Sequence, residues 1–140
     1  MATQNQSADV VVLGAGPAGY VSAIRLAQLG KKVTVVEKGE MGGVCLNVGC
    51  IPSKALITAG TLFDRMKHGS EMGIEVSGAQ VNMPKLIEWK GSVVKKLTQG
   101  VSGLLKANGC TTIKGEARFT GPKALEIKTA DGTVNLSFNH

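Results

Sequence analysis

Two cysteines, Cys45 and Cys50, stand five positions apart in the run Gly42-Gly43-Val44-Cys45-Leu46-Asn47-Val48-Gly49-Cys50-Ile51-Pro52-Ser53-Lys54. Thiols at close spacing can exchange with another disulfide, hold a metal or bond to each other. On a regular helix, five residues rise about 7.5 Å and turn through about 140°, which sets the two Cα atoms roughly 8.6 Å apart. A disulfide spans no more than about 7 Å between Cα atoms, so a bond between them requires a distorted or unwound first turn. Asn47 and Gly49 are poor helix formers that tolerate such a distortion, and Gly42-Gly43 frees the entry to it. A thiol at a helix N-terminus has its thiolate stabilised by the dipole. Lys54, one turn after Cys50, can project a cation toward the same place. The alternatives are two unrelated buried thiols or a zinc site. Zinc lacks a second cysteine pair here, Cys110 is remote, and His68 and His140 are badly placed, so no metal site is expected. Cys110 reads as a small buried residue at a strand start, and His68 as part of a solvated helix end.

Just upstream lies Gly14-Ala15-Gly16-Pro17-Ala18-Gly19, a GxGxxG run between an apolar strand pattern and a helix pattern. In that context the first glycine permits the tight turn, the second lets backbone approach a pyrophosphate, and the third lets helix and strand pack closely. Phosphates then meet unpaired N–H groups at the positive end of the helix dipole. Glu37 ends the second strand pattern, at the offset expected of the acid that hydrogen-bonds a ribose diol, and an acid there disfavours a 2′-phosphate. The competing reading is an ordinary strand–helix turn with a surface glutamate. The glycines do not distinguish FAD from NAD.

The elements that must position these residues follow from periodicity. Asp9–Leu13 is a short apolar run suited to a buried parallel strand, and residues 32–36 form a second, β-branched one. Between them Pro17 opens a helix whose apolar side is Val21, Ile24 and Ala27 with Leu26 and Leu29, and which Gly30 stops. A second helix is expected over about Cys45–Lys67, bent near Gly49 and Pro52. Residues 69–81 read as loop, with one short extended piece around Ile74. Asn82 and Pro84 start a third helix with Leu86, Val93, Leu97, Val101 and Leu104 at apolar spacing, ended by Gly109. The remainder is strand-like: one segment opens at Thr111 and continues through Ala117 and Phe119, and Asp131-Gly132 joins a hairpin.

The 140 residues amount to one domain, and 43% hydrophobic with 19% charged residues allows a real core and argues against disorder. The net charge of +6 would suit an anionic partner. The lysines from Lys85 onward, however, are dispersed among acids, and only 4% of residues are aromatic, which favours a solvated face over a nucleic-acid site. Residues 1–8 are polar, with no Arg or Lys and no apolar h-region, so neither a secretory signal nor a transit peptide is read there. No stretch reads as a membrane span. Three cysteines without a signal point to a reducing compartment, the cytoplasm, where a close pair is catalytic or metal-binding rather than structural.

From Val10 to Lys54 the sequence resembles the N-terminus of the class I pyridine nucleotide–disulfide oxidoreductases, flavoenzymes with a C-x4-C redox disulfide. Residues 43–54 most resemble the branch that oxidises protein-bound dihydrolipoamide. Glutathione and mercuric reductases tend to differ at Leu46, Ile51 and Ser53. The likeness extends more loosely through Gly115-Glu116-Ala117 and the closing hairpin. It implies an α/β fold: a Rossmann-like FAD domain, incomplete, with a parallel sheet, helices and a small antiparallel meander. Bound FAD is implied at the N-terminal glycines, with Gly14, Gly16 and Gly19 meeting the pyrophosphate, Glu37 the adenosine ribose, Lys54 the flavin and Ala117 the adenine side through its backbone. Pro17, Ala18, Lys38, Gly43, Val44 and Cys45 complete the implied cofactor contacts. The catalytic pair is implied to be Cys45, which exchanges with the dithiol, and Cys50, which lies against the isoalloxazine and passes electrons to it; NAD⁺ then takes a hydride as cosubstrate.

Members of that family run to several hundred residues. The resemblance therefore implies that residues 1–140 are the N-terminal part of the FAD domain, without the strand that completes it, the NAD domain or the dimerisation domain. The histidine base and its acidic partner, usually supplied by a second subunit, are also missing, and neither His68 nor His140 matches that histidine. The chain is expected to carry the disulfide and much of the FAD site but not to turn over alone. The implied partners of the intact enzyme are a second copy of itself and the lipoylated acyltransferase component of a 2-oxo acid dehydrogenase or glycine cleavage complex, with no nucleic acid and no membrane. The rival readings are another member of the family, glutathione- or mercuric-reductase-like, and a non-catalytic dinucleotide-binding or redox-sensing module.

Overall fold

The computed structural model describes residues 2–140. The apolar run at the start becomes β2 (Val10–Leu13), the Pro17 helix is α1 (Pro17–Gln28), and the β-branched run is β3 (Val33–Glu37). β2 and β3 pair in parallel, Val10 opposite Val33 and Leu13 opposite Val36, and β4 (Thr111–Lys114) adds in parallel on the far side of β3. This is the strand–helix–strand unit expected, with the sheet order β2-β3-β4.

β3 is buried on both faces because its side chains alternate between two cores. Val33 and Val35 pack with Ala23, Leu46, Val101 and Leu105 on the helical side. Val36 packs with Leu125, Ile127, Val134 and Leu136 of a second sheet. That sheet runs in the order β1-β7-β6-β5, with β5 (Glu116–Gly121), β6 (Ala124–Thr129) and β7 (Gly132–Phe138) forming the antiparallel meander. The result is three layers: helices, parallel sheet and meander.

Several expectations require correction. The polar segment ahead of Asp9 is a strand, β1 (Ala2–Ala8), paired in parallel with all of β7. Its side chains carry no apolar alternation, so periodicity could not reveal it; the ladder is held by backbone bonds and by Asn135 Nδ2 donating to Asn5 Oδ1 at 3.2 Å. Met1 lies outside the described residues. The segment from Thr111 to Phe119 is two strands, not one: at Gly115 the chain passes from the parallel sheet into the meander. A Cβ at Gly115 would lie 2.5 Å from the Lys128 carbonyl oxygen, so only glycine fits that crossing. Around Ile74 there is no strand; the connection is a 3₁₀ turn over Gly69–Met72.

The third helix, α4 (Met83–Ala107), starts where expected, with Asn82 Oδ1 accepting the Lys85 N–H at 3.1 Å as N-cap. Its buried face is Val101 and Leu105, while Leu97 and Leu104 are exposed, so the helix is rotated from the apolar face read in the sequence. The second helix is broken into α2 (Gly43–Asn47) and α3 (Cys50–Lys67). The combined stretch 43–67 does meet the length and apolarity of a membrane span, contrary to the sequence reading. The break leaves α3 at 18 residues as its longest helix, and α3 carries Lys54, Asp64, Arg65 and Lys67.

Candidate redox and dinucleotide site

β2 ends in the glycine loop, where Gly14 turns at φ +94° and donates its N–H to the Val36 carbonyl at 2.8 Å. The third glycine is fixed by contact: a Cβ on Gly19 would stand 1.9 Å from the Gly14 carbonyl oxygen and 3.5 Å from Val12 Cγ1. α1 can therefore sit on β2 only with glycine there. In contrast, a Cβ at Gly14 or Gly16 would meet nothing within 4 Å, so the space in front of the loop is open. Gly16 is the N-cap and supplies no side chain, Pro17 has no N–H, and the N–H groups of Ala18 and Gly19 have no acceptor among the described residues. Those donors and the helix dipole form a place for anionic oxygens.

Glu37 closes the other side. Its Oε2 accepts the Ala15 N–H at 2.7 Å and its Oε1 accepts the Gly39 N–H at 2.7 Å. A carboxylate has about four acceptor sites, so ribose hydroxyls can still reach it. A cleft of about 260 Å³ is lined by Leu13, Gly14, Val36, Glu37, Lys38, Gly115, Glu116 and Ala117. It brings together Gly14, Glu37, Lys38 and Ala117, all singled out from the sequence. A larger cleft of about 970 Å³ adjoins it through Lys38, Gly115 and Glu116, lined by lysines and acids of the meander and β4, and no residue between 41 and 54 borders it. The smaller cleft is the one that faces the glycine loop.

The cysteine segment is fastened directly to this loop. Gly42 donates its N–H to the Ala15 carbonyl at 2.9 Å, and a Cβ on Gly43 would lie 2.8 Å from Gly16 Cα. α2 ends at Asn47 with Val48 as its C-cap, Gly49 takes a non-helical conformation (φ −115°, ψ −109°), and α3 begins at Cys50. This break is the distortion that the helix geometry demanded, placed between the two thiols. Both cysteines are free thiols, Cys45 half-buried and Cys50 exposed, and Cys50 is close enough to shift the ionisation of Cys45.

One expectation changes here. Cys45 does not sit at the start of the long helix; Cys50 does, and Cys45 is inside the preceding turn. Its thiol is raised above the ordinary value, first by its interaction with the Cys50 thiol, then by desolvation and the like charge of Cys50, while the Cys50 backbone N–H and the Lys54 cation oppose the shift. Lys54 is exposed on α3, and Val44 is exposed on α2. Cys110 is buried as expected, its Sγ donating to the Ala23 carbonyl at 3.6 Å, and burial pushes that thiol up. His68 is the exposed C-cap of α3, at the opposite end from Cys50 and about 27 Å along the axis. His140 bonds through its backbone to Asp9 and Val11. Sequence reasoning missed Ala15 as the carbonyl that joins the two motifs, and Asn47 as more than a poor helix former; neither carries a signal beyond its place inside a motif.

A glycine-loop dinucleotide cradle with a dithiol clipped to its side is an arrangement shared by one class of redox proteins. The family model for pyridine nucleotide-disulphide oxidoreductases matches residues 8–137, and the chain belongs to that family. It is 53% identical over 132 residues to a dihydrolipoyl dehydrogenase of Geobacillus stearothermophilus, covering 94% of this chain and 28% of that protein. Against dihydrolipoyl dehydrogenase 1, mitochondrial, of Arabidopsis thaliana, identity is 47% over 126 residues, or 89% of this chain and 25% of the relative. The chain thus spans about a quarter of the length of these relatives. The fold is that of the HOCl-induced flavoprotein disulfide reductase RclA of Escherichia coli, solved as its Cu(II) complex: TM-score 0.75 at 24% identity, covering 99% of this chain and 27% of that one.

Proposed function

We propose that this chain is the FAD-cradling, dithiol-bearing part of a dihydrolipoyl dehydrogenase, which oxidises protein-bound dihydrolipoamide and passes the electrons to NAD⁺. In balance, dihydrolipoamide and NAD⁺ give lipoamide, NADH and a proton. The observation that carries the reading is the clip between motifs, Gly42 N–H to Ala15 carbonyl, which fixes the thiols beside the dinucleotide loop. FAD, when bound, supplies the two-electron acceptor between the thiols and NAD⁺.

The chain's own residues divide the remaining work. Ala18 and Gly19 offer N–H groups to the pyrophosphate, with Gly14, Gly16 and Pro17 keeping the approach open. Glu37 and Lys38 would hold the adenosine ribose, and Ala117, which lines the same cleft, would lie on the adenine side. Gly43 and Val44 carry the entry to the dithiol. Cys45 exchanges with the substrate: one substrate thiolate bonds to the Cys45 sulfur of the closed Cys45–Cys50 disulfide and displaces the Cys50 thiolate, and the second substrate thiol then attacks the bound substrate sulfur, closing the substrate disulfide and releasing Cys45 as a thiolate. The exposed face of Cys50 is the surface assigned to the flavin ring, which would cover it. Lys54, on the next turn of α3, supplies a cation to that ring.

A base for the dithiol is needed, and neither histidine lies near the pair. The base comes from outside these residues, in a homodimer, and the lipoylated substrate is presented by the acyltransferase of a 2-oxo acid dehydrogenase or glycine cleavage complex in the cytoplasm. The purified 140-residue chain is expected to bind FAD, seen as flavin absorption retained after gel filtration, and to show no NADH-dependent lipoamide reduction. Turnover by this chain alone would sink the division of labour. A relative-length protein carrying this sequence that reduces glutathione disulfide or mercuric ion faster than lipoamide would overturn the substrate assignment.

A further inference from the structure

The break between Cys45 and Cys50 is held by a side chain that the redox reading does not use. Asn47, half-buried at the end of α2, donates both amide hydrogens: Nδ2 to the Gly43 carbonyl at 2.9 Å and Nδ2 to the Met41 carbonyl at 3.1 Å. Both partners are carbonyls and can only accept, so the amide orientation is forced: nitrogen must face them. The Gly43 bond lies within the turn, but the Met41 bond reaches outside it to the chain arriving from β3. The side chain thereby fastens the last residue of α2 to the loop that is clipped onto Ala15. Directly after it the backbone leaves helical geometry at Val48 and Gly49.

A continuous helix through Asn47 would set the two cysteine Cα atoms roughly 8.6 Å apart, beyond the reach of about 7 Å for a disulfide. Something must therefore keep α2 from running into α3. Packing of Pro52 and Ala55 fixes α3 from its own side. On the α2 side, the Asn47 amide is the tie.

We infer that Asn47 is a positioning residue of the dithiol: by bonding to both the Met41 and Gly43 carbonyls it holds the α2 turn that carries Cys45 apart from α3, which begins at Cys50, and so sets how readily the pair closes to a disulfide. The inference rests on the redox reading of the two thiols. It specifies that the residue needs hydrogen donors, not merely size. An aspartate of the same shape would place one carboxylate oxygen, an acceptor, against both carbonyl oxygens.

The test is the dithiol–disulfide equilibrium of the full chain in glutathione buffers, quenched with acid and read by mass. In the forward direction, Cys45 and Cys50 lose two electrons and two protons to form one S–S bond, and oxidised glutathione gains them as two reduced molecules. Asn47→Ala and Asn47→Asp are each expected to lower the equilibrium constant for closure roughly tenfold or more, the worth of two ordinary hydrogen bonds. Asn108→Ala serves as control. Its amide also ends a helix, donating to the Leu104 carbonyl at 2.8 Å, so this variant loses stability without touching the pair. It is expected to leave the closure constant within about twofold, well inside the worth of a single ordinary hydrogen bond. Unchanged closure in folded Asn47→Ala, checked by circular dichroism, overturns the inference, as does an equal shift in Asn108→Ala. If Asn47→Ala does not fold, Asn47→Asp and Asn47→Leu, which also lack the donor, are read instead on the same criterion. Failure of the unsubstituted chain to form a Cys45–Cys50 disulfide at all would overturn the redox reading itself and the inference with it, a result distinct from the others.

Discussion

The Glu37 carboxylate accepts the Ala15 N–H at 2.7 Å, so the acid that ends β3 is fastened to the loop that ends β2. The same Ala15 passes its carbonyl to the Gly42 N–H at 2.9 Å. One residue inside the glycine signature thus connects the acid on one side and the thiol segment on the other. Neighbouring motifs in the sequence become a single rigid unit through the backbone of its least distinctive member.

Glu37→Gln should loosen that unit. An amide keeps one oxygen, so its NH₂ must face either Ala15 or Gly39, both of which donate. Loss of one hydrogen bond to a charged acceptor is expected to cost about 1.5 kcal/mol, measured by urea unfolding. FAD affinity should fall at the same time in a fluorescence titration. Stability unchanged within error would mean that the carboxylate does not order the loop.

The glycines separate stability from binding. Gly19→Ala forces a Cβ against the Gly14 carbonyl and is expected to destabilise by roughly 3 kcal/mol, since α1 must shift off β2. Gly16→Ala meets open space and has an ordinary backbone (φ −69°), so its cost should be below about 1 kcal/mol. Its methyl group would instead occupy the approach to the loop. Gly16→Ala should therefore remain folded and lose flavin, and retention of both would remove the pyrophosphate assignment.

Cys45 should alkylate late with pH. Because its thiol is raised by Cys50, the thiol form persists to higher pH, and the thiolate is the reactive species. Peptide mass mapping after timed iodoacetamide is expected to show the Cys45 rate rising above the ordinary thiol range in the reduced chain. Cys50→Ala removes the neighbouring thiol and its like charge, so it should move that rise to lower pH. Lys54→Met removes the opposing cation and should move it higher. The linked stability has a definite sign: a folded value above the unfolded one favours folding below the unfolded value, and that contribution disappears as pH climbs through the folded value. A Cys45 profile unaffected by both substitutions would contradict the geometry.

Thiol counting provides a check on the third cysteine. Of 3 cysteines, Cys45 and Cys50 should react with a thiol reagent in the native, reduced chain, and Cys110 only after unfolding. Rapid native labelling of Cys110 would mean that α1 and α4 do not close over it as described.

What the sequence made legible was chemistry tied to steric necessity. The GxGxxG loop, Glu37 and the break between Cys45 and Cys50 could be read because each follows from backbone geometry that few residues satisfy. Gly49 and the reach of a disulfide were enough to demand the interruption of the helix. The strand β1 was not legible, since Thr3, Gln4, Asn5 and Gln6 carry no apolar alternation and their ladder depends on backbone bonds and one amide–amide contact. The phase of α4 was misread because Leu104 and Leu105 are adjacent and equally apolar; only the tertiary neighbours determine which is buried. The side-chain tie of Asn47 was invisible for a related reason: propensity recorded what the residue disfavours, and not what its amide can reach.

The pairing of β1 with β7 has a consequence for how the protein is made. Ala2 lies opposite Gly132 and Ala8 opposite Phe138, so each contact joins residues 130 positions apart. At roughly 5–20 residues per second of synthesis, the first strand must wait about 7–26 s for its partner to be added. During that interval the backbone of β1 lacks this partner, while β2, α1 and β3 already have one another. A strand this low in apolar side chains, with Ala8 the one that enters the core, offers little hydrophobic surface to other chains until β7 arrives to pair with it.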